Sequence, residues 1–214
     1  MTPDPFALIA ILRGVRPEEV CAVGDTLYGA GFRSIEVPLN SPDPFASIEA
    51  LRGHLPQDAL VGAGTVFDPA DVGRAHGVGA QTIVSPHTDP EVVAETVRRG
   101  MRSYPGAATP SDAFAALRAG TRRVKVFPSQ QVGPGGLKAW REVLPPDVEL
   151  LPVGGVDPGS MAGWVAAGAT GFGVGSALYR AGRDVADLGT RAAALVEAWH
   201  ACTRDAHEEG RSAR

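Results

Sequence analysis

The stretch PSDAFAALRAGTRRVKVFPS, residues 110–129, holds one complete unit of this chain's architecture. Pro110 opens an apolar-periodic helix that runs to Ala119, Gly120 ends it, and the β-rich run 123–128 follows a short turn. Working outward, the same order of strand, turn and helix recurs along the chain. Strand candidates fall at 8–13, 34–39, 60–66, 82–86, 102–105, 123–128, 150–154 and 171–176. Their starts lie about 20 to 27 residues apart, the length of a compact βα unit. Helix candidates include 17–30, 90–99, 110–119 and 158–167, several entered through Pro and left through Gly, as real helix ends are punctuated. Strands that alternate with helices pair in parallel, because each crossover is helical. Eight such units without a break predict a single (β/α)8 barrel. An open doubly wound sheet is the competitor, but it normally carries a Gly-rich fingerprint after its first strand, and here that strand ends in Arg13-Gly14.

Composition agrees with this reading. Of 214 residues 44% are hydrophobic and 21% charged, the balance of a globular domain rather than a disordered chain. Gly (27) and Pro (18) are abundant while aromatics reach only 6%, which favours many short elements joined by turns. The formal net charge of −4 is spread along the chain, so no basic face for nucleic acid is built. No apolar run reaches the ~20 residues of a membrane span, and MTPDPFALIAILRG lacks the pattern of a signal peptide. Cys21 and Cys202 form neither a disulfide framework nor a CxxC metal site, which fits a cytoplasmic protein. The expected organisation is one barrel domain over 1–202 and a polar, disordered tail over 203–214, where the apolar period is lost.

The basic residues are unevenly divided: only Lys125 and Lys138 are lysines, and the remaining 18 of 20 are arginines. Arginine cannot lose its proton near neutral pH and act as an amine nucleophile. Alternate side chains of a barrel strand point inward. In RVKVF (123–127) Val124 and Val126 suit the helix-facing side, which sends Lys125 inward; in SIEVPL (34–39) the same reasoning sends Glu36 inward. Both lie towards the C-terminal ends of their strands, where active sites of this fold occur. A buried Lys–Glu pair could merely fill the core, but such pairs rarely improve on apolar packing. Burial and a neighbouring cation would lower the pKa of Lys125 and expose a neutral amine, the equipment for Schiff-base chemistry on a ketone with a carboxyl to move protons. Lys138, in GGLKAWREVL, reads as a solvated helix lysine.

Glycine clusters end the last two strands: Val153-Gly154-Gly155 and Gly173-Val174-Gly175-Ser176. In (β/α)8 barrels backbone N–H groups hold a phosphate at these places, and Ser176 adds a hydroxyl. Arg13 and Thr65 fall at the ends of the first and third strands, where they could bind a carboxylate, although Arg13 could equally form a surface salt bridge. The five histidines lack paired ligand spacing, so no metal site is expected.

With these residues in place, the chain resembles the 2-keto-3-deoxy-6-phospho-sugar-acid aldolases, class I pyruvate aldolases. The resemblance runs nearly end to end through LIAILRG (8–14), EVPLNSP (36–42), GAGTV (62–66), YPGAATPSDA (104–113), RVKVFPS (123–129), LPVGGV (151–156) and GVGSALYRAG (173–182). It implies Lys125 as the Schiff-base residue and Glu36 as general acid/base, with Arg13 and Thr65 on the substrate carboxylate. Gly154, Gly155, Gly175 and Ser176 match the phosphate site, Phe127 and Pro86 line the pocket, and Val153 matches a position linked to preference at C4. It further implies cleavage of a phosphorylated 2-keto-3-deoxy sugar acid to pyruvate and D-glyceraldehyde 3-phosphate without metal or organic cofactor, in a homotrimer. Asn40 and Val153, where the gluconate-cleaving members tend to carry Arg and Thr, point to the galactonate-configured substrate. The gluconate epimer is the nearest alternative. A phosphosugar isomerase or epimerase, or a non-catalytic phosphate-binding barrel, would need no nucleophilic lysine.

Overall fold

The computed structural model describes residues 5–212. Nine strands alternate with eight helices: β1 Leu8–Ile11, α1 Val20–Ala30, β2 Ser34–Pro38, α2 Pro44–His54, β3 Leu60–Gly64, α3 Pro69–Gly77, β4 Thr82–Val84, α4 Pro90–Arg98, β5 Arg102–Tyr104, β6 Gly106–Ala107, α5 Pro110–Arg118, β7 Arg123–Val126, α6 Ser129–Arg141, β8 Glu149–Pro152, α7 Met161–Ala166, β9 Phe172–Val174 and α8 Val185–Ser212. The strands pair in parallel in the order β5-β4-β3-β2-β1-β9, and separately β6-β7-β8. Contacts at both seams join these sets into a ring: the Lys125 N–H donates to the Pro105 carbonyl at 2.9 Å, the Thr170 N–H to the Leu150 carbonyl at 3.0 Å, and a parallel bridge pairs Val153 with Gly173. β5 and β6 are one stave, interrupted at Pro105, which has no N–H to give the ladder. The architecture is therefore the (β/α)8 barrel, with eight staves.

The alternation of side chains divides the apolar residues into two cores. Leu8, Ala10, Ile35, Val37, Val124, Val126, Leu150 and Phe172 pack outward with the helices in one large cluster. Ile9, Val84, Tyr104 and Leu151 form a small separate cluster, the packed layer inside the ring. Gly62 keeps that interior passable, since a methyl group there would overlap Thr82 Oγ1.

Proline entry is borne out at α4 and α5, where Pro90 and Pro110 occupy the first turn, and α3 is entered the same way through Pro69. Asp68 caps the Ala70 N–H, Asp89 caps those of Glu91 and Val92, and Thr109 and Asp112 form a capping box. Two expected starts need correction. α1 begins at Val20 and not at 17, because the chain first makes a turn in which Arg16 N–H donates to Glu19 Oε1 and Glu19 N–H to the Arg16 carbonyl. α7 begins at Met161 and not at 158, because Asp157 and Ser160 exchange side-chain and backbone hydrogen bonds that hold those residues in a turn. The strands also stop short of the expected ends, which leaves the residues after them to build the mouth. The backbone of α8 continues as helix to Ser212, into the stretch whose composition marks it as a tail; residues 1–4 and 213–214 lie outside the described residues. No helix of the described residues is long and apolar enough to cross a membrane.

Candidate active site

Glu36 and Lys125 are both buried, at 2% and 7% exposure. They come from β2 and β7, strands far apart in sequence that the closed ring brings to face a common interior. Loss of solvation pushes the Glu36 carboxyl up to about 7, opposed by the charges of Lys125 and Arg13. The same loss pushes the Lys125 ammonium down, opposed by Glu36 and assisted by Arg13. The lysine amine also lies 4.5 Å from the centre of the Phe127 ring. One oxygen of Glu36, Oε2, is buried without a hydrogen-bond partner, a costly state unless the group has another use. The carboxyl rests against Gly64, where a side chain of any size would collide with it.

Arg13 stands just past β1. Its Nη1 donates to Asn40 Oδ1 at 2.6 Å and its Nη2 to Thr65 Oγ1 at 3.4 Å. The surface salt bridge considered for Arg13 is thus replaced by two neutral partners. Asn40 thereby orients the guanidinium. Thr65 adopts a left-handed backbone (φ 60°), a conformation unusual for a β-branched residue that turns the chain out of β3.

The glycine clusters meet across the β8–β9 seam. A cavity of about 590 Å³ is lined there by Arg13, Val153, Gly154, Gly155, Gly175 and Ser176, together with residues sequence reading left out. Gly154 and Gly155 have φ of 108° and 67°, which only glycine adopts without strain. The amide of Gln130 packs over both; methyl groups on them would come within 2.8 and 2.9 Å of it. Ser129 Oγ donates to the Gly154 carbonyl and fixes the loop to the start of α6. The N–H groups of Gly155 and Ser176 donate to no protein acceptor among the described residues, so they are available to an anion.

Not every candidate shares this cavity. Lys125, Glu36, Thr65, Pro86 and Phe127 lie outside its lining. Thr65 is joined to it through Arg13, and Phe127 to the amine; the Pro86 carbonyl, just past β4, packs against Gly106 of β6. Lys138 is exposed on α6, as expected of a solvated lysine. His54 pairs with Asp25 at 2.8 Å, and the His87 ring packs at a tilt against Phe67. Sequence reasoning missed Gln130, Asp157, Tyr179 and Arg180 around the cavity; GSALYRAG carried the last two within a quoted motif, but nothing local said which way they turn.

The arrangement offers an amine with weakened basicity, a carboxyl near neutrality, a guanidinium at the mouth and an anion-binding pair of loops. The chain matches the family described as KDPG and KHG aldolase over residues 5–189. It is 45% identical over 192 residues to the 2-dehydro-3-deoxy-6-phosphogalactonate aldolase of Escherichia coli strain K12, covering 90% of this chain and 94% of that protein. The solved "Native KDPGal structure" superposes with a TM-score of 0.91 at 44% identity, over 92% of this chain and 96% of the other. A cube-shaped protein cage "designed by fusing symmetric oligomeric domains" superposes with a TM-score of 0.94 at 42% identity, over 97% of this chain and 77% of that one.

Proposed function

Because the chain belongs to the KDPG and KHG aldolase family, we propose that it cleaves 2-dehydro-3-deoxy-6-phosphogalactonate to pyruvate and D-glyceraldehyde 3-phosphate through a Schiff base on Lys125. The protein is an aldolase, a carbon–carbon lyase, acting on a phosphorylated keto-deoxy sugar acid. The observation that carries the residue assignment is the buried pair with opposed shifts: burial favours neutral Lys125 and holds the Glu36 carboxyl at about 7.

Each step follows from those groups. Neutral Lys125 Nζ adds to the C2 ketone, and Glu36 protonates the resulting C2 hydroxyl so that water leaves and an iminium forms. The ionised Glu36 then takes the C4 hydroxyl proton. The C3–C4 bond breaks, its electron pair moves into the iminium, and D-glyceraldehyde 3-phosphate departs. Glu36 returns the proton to C3 of the enamine, and hydrolysis frees pyruvate and the amine. A carboxyl near 7 suits both directions of transfer at neutral pH. Arg13, oriented by Asn40 and Thr65, takes the substrate carboxylate, while Gly154, Gly155, Gly175 and Ser176 take the phosphate. Pro86, Phe127 and Val153 supply the apolar walls. The iminium is the electron sink, so the reaction as proposed needs no metal or organic cofactor. An isomerase or epimerase would leave Lys125 without a task.

The same reading carries a homotrimer in the cytoplasm. The use of a similar chain as a symmetric oligomeric domain supports the first, and a sequence without a disulfide framework supports the second. Sedimentation equilibrium at three times the monomer mass is the expected result for the trimer. For the chemistry, borohydride reduction with pyruvate should add one reduced pyruvyl group to the peptide carrying Lys125, and cleavage should survive exhaustive chelation. Label on Lys138, or activity that returns only with added zinc or magnesium, would overturn the mechanism.

A further inference from the structure

Arg180, Arg183 and Arg191 lie between β9 and the first half of α8, and they are not equivalent. Arg183 and Arg191 both pair with Asp187, at 3.3 and 2.8 Å. Arg180 makes no ion pair among the described residues; its Nε donates only a long bond, 3.3 Å, to the Ser176 carbonyl. Arg180 is exposed, and it lines the same cavity as Gly154, Gly155 and Ser176. That cavity contains one carboxylate, Asp157, whose Oδ1 is already accepting from the Ser160 N–H. The Tyr179 hydroxyl, on the same wall, is engaged with Glu19 at 3.1 Å.

The glycine N–H groups and the Ser176 hydroxyl recognise the shape of a tetrahedral oxyanion, but they are neutral. Arg13 brings a charge, yet its guanidinium is held towards Asn40 and Thr65. A phosphate monoester carries close to two negative charges at neutral pH, and an uncompensated guanidinium is the donor suited to them. The single weak bond to Ser176 holds the Arg180 side chain over the loop at little cost to release. We propose that Arg180 determines the preference of this site for a phosphorylated over an unphosphorylated 2-keto-3-deoxy acid, by placing a positive charge on the phosphate end of the substrate. This rests on the aldolase reading for the identity of the substrate, and on the cavity alone for the binding of the anion.

The test uses Arg180→Gln and Arg180→Lys beside the wild type, with three readouts: kcat/KM for the phosphorylated acid and for the same acid without phosphate, the rate of pyruvate trapping by borohydride, and calorimetric binding of inorganic phosphate. Arg180→Gln should lower kcat/KM for the phosphorylated acid about tenfold or more, chiefly through KM, and weaken phosphate binding comparably. Turnover of the unphosphorylated acid and pyruvate trapping should stay within about twofold, and Arg180→Lys should restore most of the loss, because the charge and not the fold is at issue. An equal fall on both acids, or no fall on either, would overturn the proposal. If no protein cleaves the phosphorylated acid, the aldolase reading fails by itself. Phosphate binding then decides for Arg180: loss in the glutamine variant supports it, and unchanged binding overturns it.

Discussion

The Glu36 carboxyl occupies the space that a side chain on Gly64 would fill: a methyl group built there overlaps Glu36 Oε2. The two residues are on adjacent staves, β2 and β3, and Pro38 pairs with Gly64 in the ladder. The absence of a Cβ on β3 is what lets a carboxyl lie inside a ring otherwise narrow enough to be filled by four apolar side chains.

Gly64→Ala should therefore disable the enzyme through Glu36 and not through the backbone, since Gly64 does not need a left-handed conformation. We expect kcat to fall about a hundredfold or more, the scale of a lost general acid/base. Overpacking should lower stability by about 1–3 kcal/mol. A soluble alanine variant with unchanged kcat would separate Glu36 from the chemistry.

Glu36→Gln tests the coupling within the pair. The ionised carboxylate raises the Lys125 pKa while burial and Arg13 lower it, so removing that negative charge lets the amine lose its proton at lower pH. The pH midpoint of pyruvate trapping on Lys125 should move down in the glutamine variant, whatever happens to the absolute rate. A midpoint that stays or rises would mean that the two groups do not interact as described.

Stability gives an independent reading of the same pair. The Glu36 carboxyl is raised from 4.5 to about 7 in the folded protein, so its favourable contribution is complete below pH 4.5 and is lost as pH rises to 7. Lys125, with a lowered value, opposes folding at any pH below its folded pKa. The Glu36 penalty is fully in force above about pH 7, and the Lys125 penalty fades only as pH rises from its folded value towards 10.5. The double variant Lys125→Met, Glu36→Gln should be inactive yet more stable than the wild type at pH 8, by about 1–4 kcal/mol in urea unfolding. A double variant that is less stable at that pH would mark the pair as a structural ion pair.

Val153 governs the last expectation, the choice of epimer at C4. It lines the cavity, and its Cγ2 would meet a methyl group on Gly173 at 2.7 Å, so the glycine makes room for it. An apolar wall discriminates by shape, whereas a threonine would reward a hydroxyl that it can reach. Val153→Thr should shift kcat/KM towards the gluconate epimer by about two- to twelvefold, the value of one neutral hydrogen bond. A shift further towards galactonate, or a wild type that favours the gluconate epimer more than about tenfold, would remove Val153 as the determinant.

What could be read from the chain alone is what repeats at short range. A strand shows its two faces every second residue, so SIEVPL and RVKVF identify Glu36 and Lys125 as inward before any fold is known. Pro and Gly mark helix ends because their effects on φ are local, and the recurrence of one βα unit leads to the barrel. The exceptions were also local in cause: the turns at Arg16–Glu19 and Asp157–Ser160 displaced two helix starts through side-chain hydrogen bonds that periodicity does not register. Closure of the ring decided the rest. It brought β2, β3 and β7 together, set the Glu36 carboxyl over Gly64, and removed enough water to drive the amine and the carboxyl towards neutrality. It also joined Asn40 to Arg13, and Gln130 and Arg180 to the glycine loops. Desolvation and partner choice depend on residues distant in sequence, and no periodicity along a single strand carries that information.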